Sequence, residues 1–297
     1  MLSESGRTPS GLQQNGNPDG SSARDTESNI LPGASGETAA PRTRSPAFAP
    51  LLYADWMRAV FIHFEVEPDA LQSEIPFALD VWQGRAFVSL VAFTMERLRP
   101  RTGGRLGELA FRPIANTRFL NVRTYVRHRG EAGIYFMAEF LSNRWFVPLG
   151  RPSFGLPYRC GDLVYRHDRA RGVVEGTVKD PRSQCVLSYR AGLSSAASRE
   201  ESSVRPLDCF LLERYSAFTC CGDKRRLFRI RHLPWPQIRI EPVMQDEGLL
   251  ATTGKWIEHS QLLGGHLSPG VRDVWMGSPR RIRPPAARRR LTVCFDE

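Results

Sequence analysis

The stretch Asn121–Leu141, NVRTYVRHRGEAGIYFMAEFL, carries the pattern that decides the fold. Its first seven residues alternate between two kinds of side chain, which is typical of a β-strand with two different faces. The segment RHRGEAG that follows contains turn residues, and the largely apolar run IYFMAEFL comes after it. This order of strand, turn and strand predicts an antiparallel hairpin.

Further short strands are predicted on both sides of the hairpin, each bounded by Gly, Asp or Pro. They are RAFVSLVAFTMERL after Gly84, DLVYRH at 162–167, GVVEGTVK at 172–179 and CVLSYRA at 185–191. The first of them is apolar on both faces, so we expect it to be covered on both sides. Short strands that do not alternate with helices favour an α+β, mainly antiparallel β domain with peripheral helices.

Two helices are predicted at the edges of this sheet. The segment EPDALQSEIP reads as a short helix that ends before Pro76. The segment PLDCFLLERYSAFTC at 206–220 has apolar residues at helical spacing, and Asp208 can cap it.

Composition divides the chain of 297 residues into three parts. Residues 1–47 are crowded with Ser, Gly, Asn, Pro and Thr, so we predict a disordered N-terminal arm. Residues 48–277 hold enough apolar side chains for a core and are predicted to form one domain. Residues 278–297 are rich in Arg and interrupted by Pro, and are predicted to be a disordered basic tail.

The net charge of +10 is partly concentrated in this tail, where six Arg face two acidic residues, so that the tail supplies 6 − 2 = +4. Such a tail can bind nucleic acid or an acidic membrane surface through nonspecific phosphate contacts. A solvated tail without a specific partner is the favoured alternative.

No secretory signal is visible, and the longest apolar run, FVSLVAF, is far shorter than the ~20 residues of a membrane helix. We therefore expect a soluble, cytoplasmic protein without a membrane partner. Six cysteines lack metal-binding spacing and are expected to be reduced and mostly buried. We expect neither a metal nor another cofactor, and the oligomeric state is not readable from the chain.

Several stretches of the chain, in the same order along residues 60–274, resemble the YqjF-like family of uncharacterised bacterial proteins (domain of unknown function 2071). They are VFIHFEVEPDALQSEIPFALDVWQGRAFVSLVAFTMERLRP, FLNVRTYVRHRGEAGIYFMAEFL, FGLPY, FLLERYSAFT, HLPWP and HLSPGV. This family is part of the acetoacetate decarboxylase-like superfamily. The resemblance implies a curved sheet closed into a cone or barrel around an internal cavity, with helices outside.

The decarboxylases of that superfamily have a segment resembling G-R-E-x-x-x-x-P-K-K, whose lysine forms a Schiff base with a β-keto acid. In the matching stretch GRPSFGLPYR, Tyr158 stands at the position of that lysine and Pro152 at that of the acid. A phenol cannot form an imine. The chain has only three lysines. Lys179 and Lys224 lie in turn sequences, which leaves Lys255 as the single candidate for an imine-forming lysine. We therefore predict that the chain is not a Schiff-base decarboxylase.

The candidate ligand-binding residues are Asn121, Arg123, Tyr125, Arg151 and Tyr158. Arg123 can hold a carboxylate through two parallel hydrogen bonds, and its neighbours on the strand are polar or aromatic. The alternative is that this polar face is simply the solvated side of an antiparallel sheet.

The candidate catalytic residues are Tyr158, Glu139 and His266. Tyr158 can donate a hydrogen bond or act as a weak acid, or it can simply pack its ring. Glu139 would have a raised pKa if it faced inward, and a surface position is the alternative. His266, in GGHLSPGV, matches a family position. The other histidines have no spacing that indicates a metal site; they are His63, His128, His167, His232 and His259.

Three functions stay open at this point. The first is a small-molecule-binding barrel for an anionic or carbonyl-containing ligand. The second is an enzyme that uses acid–base chemistry, of lyase or isomerase type, on a keto or enol substrate. The third is an interaction protein that binds nucleic acid through its Arg-rich tail.

Overall fold

β-Strands dominate the structure, a computed structural model that describes residues 49–192 and 205–283. Fourteen strands lie in this described part of the chain and belong to one connected sheet. Their bounds are β1 Pro50–Val66, β2 Ala78–Leu79, β3 Ala86–Pro100, β4 Thr117–His128, β5 Glu131–Leu141, β6 Tyr158–Cys160, β7 Asp162–Asp168, β8 Val173–Lys179, β9 Val186–Gly192, β10 Ser216–Cys221, β11 Lys224–Arg231, β12 Ile238–Glu247, β13 Ser260–Gly277 and β14 Arg280–Arg281.

The α-helices are short and lie at the edges of the sheet. Their bounds are α1 Pro68–Glu74, α2 Gly104–Phe111, α3 Val147–Ser153 and α4 Pro206–Leu212. Within the described ranges, three 3₁₀ helices add single turns at Arg112–Ile114, Leu250–Thr253 and Lys255–His259. The predicted helix before Pro76 is confirmed as α1.

The predicted hairpin is present as β4 and β5, which pair antiparallel from His128 and Glu131 at the turn to Phe119 and Leu141. The strand predicted to be covered on both sides is β3, and its first eight residues are all buried. Nearly all strand pairs are antiparallel, as the sequence predicts; the parallel exceptions are β5 with β6 and β5 with β10.

Seven strands close into a ring through successive pairings. The order is β11, β10, β5, β4, β3, β1 and β13, and a short pairing of β13 with β11 completes the circle. Register shifts in the pairing of β1 with β3 mark β-bulges, which bend strands. The expected mainly antiparallel architecture is confirmed, and closure takes the form of this ring.

The ring has one face covered by a second group of strands. Strands β12, β9, β8 and β7 continue the sheet from β13, and their apolar residues share a core with Ile62, Leu90 and Val122 on the ring. Seven strands cannot enclose a further β-meander, so this face is the outer one. The opposite face, which carries Phe61, Val91 and Phe119, is the inner face. The enclosed cavity that the resemblance implies stays a prediction.

The prediction of the second helix, at 206–220, was correct only for its first half. The helix is α4, which ends at Leu212, and Ser216–Cys221 forms β10 instead. This strand pairs with β5 on one side and β11 on the other, so it is part of the ring. Ala217 faces the inner core and Phe218 the outer one, which is the alternation of a strand. Tertiary pairing therefore overrides the local helical pattern.

Residues 278–283 of the predicted basic tail are described. Arg280 and Arg281 form β14, which pairs with Leu227 and Arg226 of β11. The predicted arm at 1–47 and the rest of the tail at 284–297 lie outside the described residues, as does the loop predicted between β9 and α4 at 193–204.

Two further expectations concern the cysteines and the membrane. The five described cysteines are free, but four are half-buried and Cys209 is exposed, so the prediction of mostly buried thiols was wrong for them. Within residues 49–192 and 205–283, no helix combines the length and the apolar character needed to cross a membrane.

Candidate functional site

One row of side chains crosses the inner face of the ring at a single level. Paired residues on successive strands lie side by side and point to the same face. The register connects, in order, His266, Phe61, Val91, Asn121, Glu139 and Tyr158. The row therefore brings together all three candidate catalytic residues and two of the candidate ligand-binding residues.

A second row lies one pleat away. The register here connects His63, Ser89, Arg123 and Phe136. His63 and Arg123 each lie two residues from a member of the first row, and so they share the inner face. The polar face of β4 is thus the buried inside of the ring, and the alternative of a solvated face is wrong: Asn121 and Arg123 are only 8% and 7% exposed.

Glu139 faces inward because of a β-bulge in the hairpin. The register of β4 with β5 shifts by one residue between Val122 and Arg123, whose partners are Ala138 and Phe136. One extra residue in a strand reverses the faces of all residues beyond it. Phe136 and Glu139 therefore both point into the ring, and the alternative of a surface position for Glu139 is wrong.

Three buried polar atoms of the two rows have no hydrogen-bond partner among the described residues. They are Asn121 Oδ1, Arg123 Nε and Glu139 Oε2. Buried polar groups in native proteins are almost always hydrogen-bonded, and each exception calls for a specific explanation. An acceptor, a donor and a carboxyl oxygen left open on neighbouring strands form the kind of set that a polar ligand would satisfy.

Burial disfavours the charged forms of both acids of the first row. Burial raises the pKa of the Glu139 carboxyl well above its ordinary value. Burial also raises the pKa of the Tyr158 phenol well above its ordinary value, and a charge on Glu139 would act in the same direction. Each can therefore donate a hydrogen bond to a ligand oxygen.

Arg123 is the cation of the inner face. Its Nη2 donates to the Leu211 carbonyl oxygen at 3.3 Å, and its guanidinium lies 5.6 Å from the centre of the Phe61 ring. Burial lowers the pKa of Arg123, against the raising effect of Tyr125, and the charge of Arg214 lowers it further. A lowered pKa means that the positive charge is poorly compensated, which favours an anion beside it.

A chain of hydrogen bonds runs from His266 across the inner face. His266 Nδ1 lies 2.9 Å from His63 Nε2, and His63 Nδ1 lies 2.7 Å from Ser89 Oγ. Ser89 Oγ lies 2.6 Å from Tyr125 Oη, which in turn donates to the Leu211 carbonyl oxygen at 2.8 Å. On its other side His266 Nε2 contacts Asp208 Oδ1 at 3.2 Å.

Asp208 anchors one end of this chain. It was predicted to cap α4, but the N-cap residue is Arg205; Asp208 lies in the first turn, and its carboxylate accepts a hydrogen bond, at 3.1 Å, from the backbone N–H of Arg205. Its other partners are His266 and the guanidinium of Arg239. Burial raises the pKa of Asp208, but hydrogen bonds from His266 and Arg239 more than offset this and bring the pKa well below its ordinary value. Asp208 is therefore a carboxylate.

Sequence reasoning missed three members of the chain, namely His63, Ser89 and Asp208. The signal for His63 was present in VFIHFEV, where Val60, Ile62 and Phe64 mark one strand face and His63 falls on the other. No local signal connected it with His266, because 203 residues separate the two. Arg151, in contrast, was a predicted ligand-binding residue, but it does not join the inner face: it is exposed on α3.

Tyr158 is held against the ring by α3. Its aromatic ring meets the rings of Phe119 and Phe146 edge-on, with centroids 6.1 Å and 5.5 Å away. Gly150 of α3 lies directly over it, so that a Cβ added to Gly150 would come within 2.3 Å of Tyr158 Cδ2. The close packing requires glycine at this position.

The substitution Gly150→Ala is therefore expected to displace the Tyr158 ring and to lower the free energy of unfolding by about 1–3 kcal/mol, as overpacking does. Urea denaturation followed by tryptophan fluorescence measures the effect. Gly192→Ala is the matched control, because no atom lies within 4 Å of a Cβ added there. Equal stability of the two variants would contradict the close packing of Gly150 on Tyr158.

None of the three lysines reaches the inner face. Lys224 and Lys255 are exposed, and Lys179 is half-buried at the end of β8. Lys255, the remaining candidate for an imine-forming lysine, lies on a surface 3₁₀ helix. In the described ranges no cluster of three or more His, Cys, Asp and Glu side chains is placed to hold a metal ion.

Comparison with solved structures shows the fold. An acetoacetate decarboxylase-like enzyme from Sphingomonas wittichii RW1 superposes with a TM-score of 0.54 at 15% identity, covering 83% of this chain and 98% of that one. The acetoacetate decarboxylase from Legionella pneumophila gives 0.54 at 14% identity, with 87% and 98% covered. The enduracididine biosynthesis enzyme MppR, complexed with pyruvate, gives 0.52 at 13% identity, with 84% and 96% covered.

Comparison of sequences shows the family. The uncharacterized protein YqjF of Bacillus subtilis (strain 168) is 31% identical over 184 residues, which are 61% of this chain and 72% of the relative. The family model DUF2071, described as an uncharacterized conserved protein, matches residues 53–272. This range contains every residue of the two rows. The chain therefore belongs to the DUF2071 family and has the acetoacetate decarboxylase-like fold.

Proposed function

We propose that this protein binds a small anionic, carbonyl-containing molecule inside the seven-strand ring, without forming a Schiff base. The observation that carries the proposal is the set of unpaired buried atoms, Asn121 Oδ1, Arg123 Nε and Glu139 Oε2. A carboxylate would accept from Arg123, and a carbonyl or hydroxyl oxygen would accept from a neutral Glu139 or Tyr158.

The chemistry of the site agrees with a molecule of the pyruvate type. Arg123 is a buried cation with an open donor, and burial disfavours a charge on Glu139 of the neighbouring strand, so that the inner face favours a ligand with one negative charge. MppR, which shares the fold, is complexed with pyruvate. The resemblance to the decarboxylases puts Tyr158 at the position of their reactive lysine, so binding would be noncovalent.

Isothermal titration calorimetry, with pyruvate added to the protein, tests the proposal. We expect saturable binding to the wild-type protein and a loss of at least tenfold in affinity for Arg123→Met, because a buried charge-assisted hydrogen bond contributes about 1.5–3 kcal/mol. Arg118→Met is the matched control. Arg118 lies on the same strand but is exposed, and its guanidinium donates to the Leu163 carbonyl oxygen.

Borohydride adds a second measurement. We expect that borohydride leaves no covalent adduct when it is added with pyruvate, because no lysine lies on the inner face. Equal affinities of the Arg123 and Arg118 variants, or a borohydride-trapped adduct, would contradict the proposal.

An acid–base enzyme acting on a keto or enol compound is the second candidate function. The hydrogen-bond chain from Asp208 through His266 and His63 to Tyr125 favours it, since a purely binding site does not need linked titratable groups. Tyr158, Glu139 and His266 stay the candidate catalytic residues of such an enzyme.

A further inference from the structure

The hydrogen-bond chain from Asp208 to Leu211 makes five contacts, all at hydrogen-bonding distance. They join Asp208 to His266 at 3.2 Å, His266 to His63 at 2.9 Å, His63 to Ser89 at 2.7 Å, Ser89 to Tyr125 at 2.6 Å and Tyr125 to the Leu211 carbonyl oxygen at 2.8 Å. Each contact needs one hydrogen between its two heavy atoms.

Four neutral side chains cannot fill these five contacts. Tyr125, Ser89, a neutral His63 and a neutral His266 supply one polar hydrogen each, which makes four. The Asp208 carboxylate and the Leu211 carbonyl can only accept. One contact would then bring two lone pairs together at hydrogen-bonding distance, which is repulsive. A fifth proton removes the conflict.

The two ends of the chain determine where the fifth proton lies. Tyr125 donates to the Leu211 carbonyl, so Ser89 must donate to Tyr125, and His63 Nδ1 must donate to Ser89. At the other end His266 Nε2 donates to Asp208. The remaining proton lies between His63 Nε2 and His266 Nδ1, and the histidine pair carries one positive charge opposite Asp208.

We propose that this chain is a proton store that supplies the acid for a carbonyl compound bound at Arg123. The inference rests on the proposed function for the place of the ligand. Arg123 Nη2 and Tyr125 Oη both donate to the Leu211 carbonyl oxygen, so an oxygen held by the guanidinium lies next to the phenol.

The charges around the histidine pair come from three elements. Asp208 of α4 contacts His266, Arg239 of β12 contacts Asp208, and Arg123 of β4 faces His63 across the inner face. Burial lowers the pKa of His63, and the charges of His266 and Arg123 act in the same direction, whereas Asp208 raises it. Burial therefore disfavours the charge on His63, and it is His266 that contacts the Asp208 carboxylate.

The proton transfer balances. A solvent base removes a C–H proton next to the ligand carbonyl, the C–H electron pair forms the new C=C bond, and the carbonyl π pair moves to oxygen. That oxygen takes the Tyr125 proton. Ser89 then reprotonates Tyr125, His63 Nδ1 reprotonates Ser89, and the stored proton moves onto His63 Nε2. The ligand leaves as an enol, and the histidine pair becomes neutral.

The proton count is tested by NMR of the full chain labelled with ¹⁵N-histidine, without any ligand. At pH 7 we expect one imidazolium with both ring nitrogens protonated, coupled to a histidine protonated at Nδ1. In Tyr125→Phe three contacts remain for three protons, so we expect both histidines to become neutral and His63 to change to the Nε2–H tautomer. Ser89→Ala should likewise remove the positive charge of the histidine pair.

Tyr165→Phe is the control for these variants. It removes a tyrosine hydrogen bond to a backbone carbonyl, that of Phe119 at 3.0 Å, outside the chain, and the histidine signals should not change. Two neutral histidines in the wild-type protein at pH 7, or an unchanged imidazolium in Tyr125→Phe, would overturn the proton store.

The acid role is tested with pyruvate in D₂O, by following exchange of its methyl protons by ¹H NMR. We expect Ser89→Ala to slow the exchange catalysed by the protein by at least tenfold, the lower end of general acid catalysis, while pyruvate affinity changes by less than about twofold. Equal exchange rates would overturn the acid role. If pyruvate does not bind, the proposed function fails, and the histidine spectra alone decide the proton store.

Discussion

Glu139→Gln is expected to be more stable than the wild-type protein at neutral and alkaline pH. The folded state raises the pKa of Glu139, because the carboxyl is buried and only 4% exposed. The folded protein therefore binds this proton more tightly than the unfolded chain does. The contribution of Glu139 to the free energy of unfolding of the wild type is fully present below the unfolded pKa of about 4.3. It is lost as the pH rises from there towards the folded pKa.

Glutamine has nearly the same shape and cannot ionise. The stability of Glu139→Gln relative to wild type should thus increase by about 1.4 kcal/mol per pH unit between the unfolded and the folded pKa of Glu139. Urea denaturation at pH 5, 6, 7 and 8 measures the difference. Glu258→Gln, an exposed glutamate on a 3₁₀ helix, is the control and should show no such slope. A difference that does not change with pH would mean that Glu139 is not buried as a neutral acid.

Asp80→Ala is expected to give the largest loss of stability. Asp80 follows β2 and is buried, and it accepts hydrogen bonds from Arg214 at 2.7 Å and from Arg127 at 2.8 Å. Arg214 is equally buried and lies 4.1 Å over the Phe210 ring, so this ion pair joins the end of α4 to the sheet. Without Asp80 the guanidinium is left buried without its carboxylate, which costs about 3–5 kcal/mol.

Two further variants distinguish the contribution of the buried Asp80–Arg214 pair to stability from that of the Arg127 contact. Arg127→Met should cost less than about 1 kcal/mol, because the Arg127 side chain is 50% exposed and screened by water. The double variant Asp80→Ala/Arg214→Met should recover part of the loss, since it removes both buried charges. Chemical denaturation of the four proteins measures these differences. A loss in Asp80→Ala no greater than in Arg127→Met would contradict the role of the buried pair.

Much of the sheet was predictable because its signals are local. The alternation in NVRTYVR, the turn after it and the apolar run beyond predict β4 and β5 from neighbouring residues alone. The failure at β10 has the opposite cause. SAFTC continues a helical pattern from α4, but its backbone groups pair with β5 and β11, and this pairing depends on strands far away in the chain.

The candidate site was predictable only in part. Asn121, Arg123 and Tyr125 are on one strand, so their shared face followed from alternation. Glu139 was harder to place, since counting by twos from Ile134 and Phe136 assigns it to the outer face, and one bulge reverses this.

The sequence by itself predicted that Tyr158 stands where the decarboxylases it resembles have their lysine, and that a polar face runs along β4. Only the tertiary structure decided that this face is buried, that Glu139 turns inward, and that His63, Ser89 and Asp208 meet His266. The physical reason is that strand periodicity is a local property of the backbone. Burial and hydrogen-bond partners, in contrast, exist only once β10 and β11 close the ring onto β13.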